Sequence, residues 1–352
     1  MMMASLPVVL VSISRPAAFV LEDERMCVQI VSRLPRDTHT CTLHRAMCIL
    51  VVAVGCHPSL PFICAHNRDE QRDRPSRDDS LEEDTQLLCG RDIQAGGTVL
   101  GLHAVGGGFA ALTNCRTTVK WPEDQHTSRG RLVEFLAVNG TAGAEEFIQS
   151  RKIDPFHALA GHIFCDSPEI HYFWSAPPDT GEQASSKWSA GHRILERGVF
   201  VVSNEKPAGE AWPKCLWLRR AVEDFLEQLG RRGEKASDAS ELVSQVHAGL
   251  AEIMSRSDVP ELKVPSRLPK WFPEAVEEKL HSGPFCPWRP DLETFGTVSQ
   301  RILVCDGVKR QTHYFYRPTN LGSPPQLGPW RSFLIRWPLL VQTPSAQQSA
   351  KL

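Results

Sequence analysis

Residues 47–70, MCILVVAVGCHPSLPFICAHNRDE, contain the pattern that decides the fold. Residues 48–54 form a continuous run of mostly apolar, β-branched side chains, and residues 62–66 form a second, shorter run. Between them, residues 55–59 supply glycine, proline and serine, which favour a turn. The pattern therefore predicts two antiparallel strands joined as a β-hairpin.

The hairpin brings the start of this segment to its polar end. Folding the second strand back along the first places Cys48 opposite Asn67 and Arg68. Side chains alternate between the two faces of a strand, so Asn67 and Asp69 share one face while Arg68 and Glu70 share the other. One of these two pairs is expected to face the Cys48 thiol.

A second β-rich unit is predicted downstream of the hairpin. An acidic loop is expected at residues 78–85, and strands are expected at 96–102 and 109–114. Gly106, Gly107 and Gly108 lie between these strands and supply the positive φ angles of a tight turn. A strand follows the glycines where a dinucleotide fingerprint requires a helix, which favours a turn over a phosphate loop.

The rest of the chain alternates between helical and strand-like spacing. Helices are predicted at 128–136, with Ser128 as its cap, and at 144–150, 217–229 and 239–254. Strands are predicted at 156–164, 169–174, 198–204, 295–306, 312–317 and 330–337. The Pro-rich stretch 259–290 is interpreted as a loop or insertion. Strands at both ends with helices grouped between them predict an α+β fold built of layers.

The composition of the chain limits the classes of function that it can have. The 352 residues carry a net charge of −2 with 41% hydrophobic residues, which is typical of a soluble globular protein and gives no electrostatic reason to expect nucleic acid. Eleven cysteines without a CxxC pair indicate reduced, buried thiols. No second cluster with zinc-ligand spacing follows Cys56-His57 and Cys64-Ala-His66, so no metal site is expected. No apolar run reaches the roughly 18 residues of a membrane span.

The two ends of the chain differ from the middle. Residues 1–46 have an interrupted apolar stretch and lack the pattern of a signal or transit peptide. They are interpreted as a dispensable N-terminal extension or a start placed too early, with a targeting segment as the less favoured alternative, and are expected to be poorly ordered. The main domain is expected at 47–340, with its insertion at 259–290, and residues 341–352 are expected to form a tail.

An ordered set of motifs resembles the NRDE family, also called the transport and Golgi organisation protein 2 family. Their order along the chain makes the resemblance specific, and it covers residues 47 to 337. The motifs are Met47-Cys48, Ala65-His-Asn67-Arg68-Asp69-Glu70 with Arg74-Pro75-Ser76, Gly90-Arg-Asp, Gly96-Gly-Thr-Val-Leu-Gly, Phe109-Ala-Ala-Leu-Thr-Asn114, Ser128-Arg-Gly130, Val202-Ser203-Asn204 with Trp212-Pro213-Lys214, and Phe295-Gly-Thr-Val-Ser299.

The resemblance implies a four-layer α/β/β/α sandwich similar to the N-terminal nucleophile hydrolases, in the branch of bile-salt hydrolases and penicillin V acylase. In that branch an N-terminal cysteine attacks an amide carbon, and here it would be Cys48. Its own α-amine acts as the general base only after the bond between Met47 and Cys48 is removed. Asp69 corresponds to the residue that holds this amine, and Asn204 to the oxyanion-hole donor.

Each of these assignments has a structural alternative. Asn114 is a further polar contact in the same pocket or a residue that satisfies a turn, and the same choice applies to Asn204. Two positions depart from the family pattern. Val298 stands where family members commonly carry an arginine, and Arg301 faces the opposite side of a regular strand unless a bulge intervenes. Val99 replaces a tryptophan, which is expected to alter the packing of the pocket.

Two functions from different classes follow from the resemblance. The first is a non-catalytic or weakly catalytic factor in secretory transport and Golgi organisation that handles haem or a lipid such as acyl-CoA. The candidate axial haem ligands are side chains of the first two strands and of the second unit: His57, His66, His103, Cys48, Cys56 and Cys64. The second is a cysteine amidohydrolase acting on a linear or cyclic amide.

Further expectations concern the surroundings of the protein. No cofactor is required for either function, and haem is the one candidate. The expected partner is a small-molecule or lipid-like ligand, with no nucleic acid and no integral membrane span. The expected location is cytoplasmic, with the Golgi or the mitochondrion as sites of association. The sequence leaves the oligomeric state open.

Overall fold

The computed structural model describes most of the chain between residues 47 and 338. The described segments are 8–10, 47–116, 127–176, 189–205, 211–233, 239–264, 273–287, 295–320 and 326–338. The predicted tail, and the extension apart from residues 8–10, lie outside the described residues.

Fifteen strands and five helices lie in the described segments. The strands are β1 (Val8–Leu10), β2 (Ile49–His57), β3 (Leu60–Gln71), β4 (Ser76–Leu81), β5 (Leu87–Asp92), β6 (Leu100–His103), β7 (Gly108–Asn114), β8 (Phe156–His162), β9 (Ile170–Ala176), β10 (Ser189–Leu195), β11 (Gly198–Val202), β12 (Phe295–Asp306), β13 (Gln311–Asn320), β14 (Gln326–Leu327) and β15 (Arg331–Arg336). The helices are α1 (Arg129–Asn139), α2 (Ala144–Gln149), α3 (Pro213–Gly233), α4 (Ala239–Ile253) and α5 (Glu274–Leu280).

The strands form two sheets. The first has eight strands in the order β1-β15-β13-β12-β3-β2-β11, with β14 paired to β13, and the second has seven in the order β10-β9-β8-β7-β6-β5-β4. Apart from the parallel pair β1 and β15, every described strand pairing is antiparallel. The prediction of an α+β fold is confirmed.

Three apolar clusters define how the elements pack. The first cluster joins α3, α4 and α5 to one face of the first sheet, and the third joins α1 and α2 to the outer face of the second sheet. The middle cluster lies between the sheets. Strand β2 shows the alternation that makes this possible: Ile49 and Val51 face the helices, whereas Leu50 and Val52 face the second sheet.

The predicted hairpin is present as β2 and β3, with Val54 opposite Phe62 and Ile49 opposite Asn67. The glycine turn is also confirmed, because Gly107 has a φ of 69° and β6 pairs with β7 across it. Helix α1 begins after Ser128, although the Ser128 side chain makes no capping hydrogen bond. None of the described helices is long and apolar enough to cross a membrane.

One local prediction was wrong, and a second stretch contains a helix that was not predicted. An acidic loop was expected at 78–85, but residues 78–81 belong to strand β4. Asp79 can lie in a buried strand because its charge is paired with Arg301 and does not require contact with solvent. The Pro-rich stretch 259–290 contains the helix α5, whose Val276 and Leu280 enter the helix-side core of the first sheet. Apolar burial therefore stabilises a helix where proline content alone indicated a loop.

Candidate functional site

Cys48 lies at the polar end of the hairpin, as the register predicted. It immediately precedes β2 and is one residue before the pair formed by Ile49 and Asn67, so it stands across from Arg68. Its Sγ is 4.0 Å from the main-chain oxygen of Asp69. Arg68 and Glu70 therefore share the thiol's face between the sheets, and the side chains of Asn67 and Asp69 point toward the helices.

The Cys48 thiol is held in its protonated form. The pKa of Cys48 is raised to about 12, chiefly by burial and then by the nearby Asp69 carboxylate, against the opposing effect of the Arg68 guanidinium. Only the thiolate is an effective nucleophile. At neutral pH the thiol is therefore not activated in this form of the chain.

The residue before Cys48 is part of the core. Met47 is fully buried in the cluster between the first sheet and its helices. Its main-chain N–H donates to the main-chain oxygen of Asp69 over 3.1 Å. Wherever Met47 remains bonded to Cys48, the nitrogen of Cys48 is a peptide nitrogen and has no basic lone pair.

Residues 67–70 make contacts on both faces of strand β3. Asn67 donates to the main-chain oxygens of Met254 and Pro284 over 2.8 and 2.7 Å, and so fastens two later segments to β3. On the other face, Arg68 contacts Asp92 over 3.1 Å. The structural role of Asn67 was not predicted, because its partners are 187 and 217 residues away in the sequence.

Asp69 carries an unusual protonation equilibrium. Burial raises the pKa of its carboxyl to about 7, against the opposing effects of the Lys214 ammonium and of the Thr297 hydroxyl, which donates to Oδ1 over 2.6 Å. Lys214 is itself 1% exposed and lies 5.5 Å from the centre of the Trp212 ring. Lys214 was missed as a site residue, although it belongs to the Trp-Pro-Lys motif noted in the sequence.

The predicted asparagines meet Cys48 at the same end of the sandwich. Ser203 Oγ donates to the main-chain oxygen of Cys48 over 2.8 Å, and Asn204 Nδ2 donates to the main-chain oxygen of Asn114 over 2.6 Å. Asn204 is fully buried. The structure thus brings together Cys48, Asn204 and Asn114, with Asn114 contributing its main-chain oxygen to the Asn204 contact.

A bulge in β12 changes the orientation of Arg301. Thr297 lies opposite Asp69 and Ser299 lies opposite Arg68, so Val298 is an extra residue in the strand. The bulge turns Arg301 to the face between the sheets, whereas a regular strand would turn it toward the helices. Arg301 nevertheless contacts Asp79 over 2.6 and 2.7 Å, and the cation that lowers the pKa of Cys48 is Arg68.

A small polar cavity adjoins this end of the sandwich. It measures about 20 Å³, close to the space of one water molecule. Its lining includes Arg68, Arg301, Ser299 and Val99. Val99 therefore lines the cavity beside two guanidinium groups.

The histidines proposed as axial haem ligands do not converge. His57 pairs with Leu60 at the turn of the hairpin, and His66 is six residues further along β3, about 20 Å away at the rise of a strand. His103 lies in the second sheet, where its Nδ1 accepts from Gly106 N. No group of three or more metal-ligating residues is found in the described segments.

His66 has its own environment between the sheets. It is fully buried, and neither ring nitrogen has a hydrogen-bond partner among the described residues. Burial lowers the pKa of His66 well below its usual value, and the nearby Arg301 and Arg68 lower it further. The imidazole is therefore neutral.

Comparison with protein families gives one match. The family model described as Transport and Golgi organisation 2 matches residues 47–318, which include Cys48, the motif at 67–70 and Asn204. The comparison with curated proteins found no match.

Proposed function

The chain belongs to the Transport and Golgi organisation 2 family, and from this premise we propose that it serves secretory transport and Golgi organisation as a binding protein with little or no hydrolytic activity. The observation that carries the proposal is the buried peptide bond before Cys48. Met47 is fully buried, and its N–H is bonded to Asp69. A cysteine inside the chain lacks the α-amine that the hydrolase mechanism needs as its base.

The proposed ligand is an anionic, lipid-like molecule such as an acyl-CoA. Arg68 and Arg301 line the polar cavity, and guanidinium groups bind phosphate and carboxylate with good geometry. Val99 leaves more space there than the tryptophan that is usual in the family. Both arginines also have carboxylate partners within the protein, so a ligand anion competes with Asp92 or Asp79.

Haem is the alternative ligand within the same proposal. Because His57 and His66 are about 20 Å apart along the hairpin, they do not serve as the two axial ligands of one haem in this conformation. His66 is the stronger single candidate, since its ring nitrogens have no partner among the described residues. The cavity of about 20 Å³ near Arg68 is far smaller than either a haem or an acyl-CoA, so the binding of either ligand would require the sheets to separate there.

The second candidate function is a cysteine amidohydrolase on a fold similar to the N-terminal nucleophile hydrolases. Its support is the meeting of Cys48, Asn204 and Asn114 at one end of the two-sheet sandwich. Removal of Met47 would give Cys48 an α-amine near the Asp69 main-chain oxygen that the Met47 N–H now occupies. Asn204 Nδ2 carries two N–H groups, one of which donates to Asn114, and in this function one of its N–H groups would act as the oxyanion donor.

Two preparations separate these functions. The first is the full-length chain, and the second begins at Cys48, with the free terminus checked by N-terminal sequencing. Palmitoyl-CoA and haem are titrated into both, and amide hydrolysis is followed with N-acyl amino acid substrates. The binding proposal predicts saturable palmitoyl-CoA binding by the full-length chain and no turnover.

Variants of the full-length chain test the proposed contact. Arg68→Gln should weaken palmitoyl-CoA binding by about tenfold, the value of one charged hydrogen bond, while Asp92 keeps its partner Arg74. Arg151→Gln is the matched control, because Arg151 is exposed and packs on Phe147 of helix α2. Turnover by the full-length chain that disappears in Cys48→Ala would refute the binding proposal and support the hydrolase.

A further inference from the structure

A second cluster of reactive side chains lies far from Cys48 in the fold, on the helix-covered face of the second sheet. An open groove of about 740 Å³ runs between α2 and the paired strands β9 and β10. His171 and His192 line it together with Phe173 and Glu145. None of these residues takes part in the site described above.

The two imidazoles point directly at each other. His171 Nδ1 and His192 Nε2 are 2.7 Å apart, and the ring planes differ by only 7°. This nitrogen contact is too short for face-to-face stacking, so the rings meet edge to edge in nearly one plane. Phe173 lies 4.6 Å from the His192 ring and restricts its orientation.

Each imidazole also has a carboxylate at the nitrogen that faces away from the pair. Glu169 Oε1 is 2.8 Å from His171 Nε2, and Glu145 Oε1 is 3.8 Å from His192 Nδ1. Histidines that bind metal ions commonly donate their other ring N–H to a carboxylate, which fixes the tautomer and increases the basicity of the ligating nitrogen. Glu169 therefore keeps the His171 proton on Nε2 and leaves an electron pair on Nδ1, to which His192 Nε2–H donates, whereas Glu145 is too far from His192 Nδ1 for a direct hydrogen bond.

We propose that His171 and His192 form a chelating site for a divalent transition-metal ion of the kind that imidazole prefers, such as Ni²⁺ or Zn²⁺. On binding, His192 moves its proton from Nε2 to Nδ1, beside Glu145, and both facing nitrogens bind the ion. Because no third ligating residue joins them in the described part of the chain, water fills the remaining positions.

The required rearrangement is a separation and a rotation of the two rings. Nitrogen ligands about 2.0–2.1 Å from a tetrahedral ion lie roughly 3.3 Å apart, so the rings must separate by about half an ångström, and each ring must also turn so that both electron pairs converge on an ion beside the line that now joins the nitrogens. The His192 side chain is 28% exposed and borders the open groove, which leaves room for this movement. His171, at 13% exposed, is held more firmly by Glu169.

Ni²⁺ titration of the full-length chain, followed by calorimetry, tests the site. Ni²⁺ is the probe because imidazole suits it, whereas the eleven thiols favour softer ions. We expect one saturable site, with affinity reduced at least about tenfold in His171→Ala and in His192→Ala. Glu169→Gln should weaken binding by about 10-fold through its effect on His171.

His162→Ala is the matched control, because His162 is an exposed histidine at the end of the neighbouring strand β8 and is not part of the pair. It should bind Ni²⁺ like the unaltered chain. Circular dichroism verifies that each variant is folded. Equal binding by His192→Ala and the unaltered chain, or an equal loss in His162→Ala, would overturn the proposal.

Discussion

Asp69 couples protonation to stability at the scale of a single residue. Its ordinary pKa is 3.8, whereas burial in the folded protein raises the pKa to about 7. Between these pH values the folded state holds a proton that the unfolded chain has released. The contribution of Asp69 to stability is therefore fully present below about pH 4 and is lost as the pH rises through 7.

Asp69→Asn removes this titration and keeps an oxygen that accepts from Thr297. The quantity to follow is the free energy of unfolding of the unaltered chain minus that of the variant. We expect this difference to fall by about 1.4 kcal/mol per pH unit between pH 4 and 7 and to stay constant above pH 7. Urea unfolding at several pH values measures this difference. Asp73→Asn, at an exposed position, controls for the loss of one charge. A difference that does not change with pH would contradict the assignment to Asp69.

At the scale of elements, one buried ion pair connects the two sheets. Asp79 on β4 binds Arg301 on β12 through two hydrogen bonds, and both side chains are at most 4% exposed. Tyr314 on β13 donates its hydroxyl to the same carboxylate. The bulge at Val298 makes this contact possible, because it determines which face of β12 carries Arg301.

Asp79→Ala should destabilise the protein by about 3–5 kcal/mol, because it leaves the Arg301 charge buried without a carboxylate. Replacing both partners, as in Asp79→Leu with Arg301→Met, should cost less than the single change. Asp78→Ala is the matched control on the same strand; it loses a half-exposed contact with Arg331 and a hydrogen bond from the Tyr316 hydroxyl, and should cost about 1–2 kcal/mol. Chemical denaturation compares the variants. If Asp79→Ala loses no more stability than Asp78→Ala, the ion pair does not hold the sheets together.

At the scale of the whole molecule, the packing centres on residues from 47 onward. Strand β1 adds three parallel pairs to the outer edge of the first sheet at β15. By contrast, Met47 is fully buried beside the helices of the first sheet. We therefore expect the boundary between the extension and the core to fall just before Met47.

Removing residues 1–46 should lower the melting temperature by no more than a few degrees, which corresponds to less than about 1 kcal/mol. A chain that begins at Ile49 is the contrasting variant, since it also loses the buried side chains of Met47 and Cys48, and it should melt at a clearly lower temperature. Differential scanning calorimetry measures both. A large drop on removal of 1–46 alone would place part of the extension in the core.

The sequence by itself determined the elements whose cause is local. Apolar runs and turn residues between 47 and 70 determined the β2–β3 hairpin and the position of Cys48 opposite Arg68. The glycines at 106–108 determined the next turn, and the ordered motifs identified the family. These features depend on neighbouring residues, or on patterns that remain visible in a linear chain.

Only the tertiary structure decided features that depend on distant partners. The burial of Asp79 in a strand depends on Arg301, and the position of Asn67 depends on segments 187 and 217 residues away. The bulge at Val298, which orients Arg301, depends on the register between β12 and β3. The protonation of Cys48 and Asp69 likewise follows from burial and from charges placed nearby by the fold. A local pattern cannot encode these features, because the desolvation and charge contacts that cause them exist only after the sheets and helices have packed.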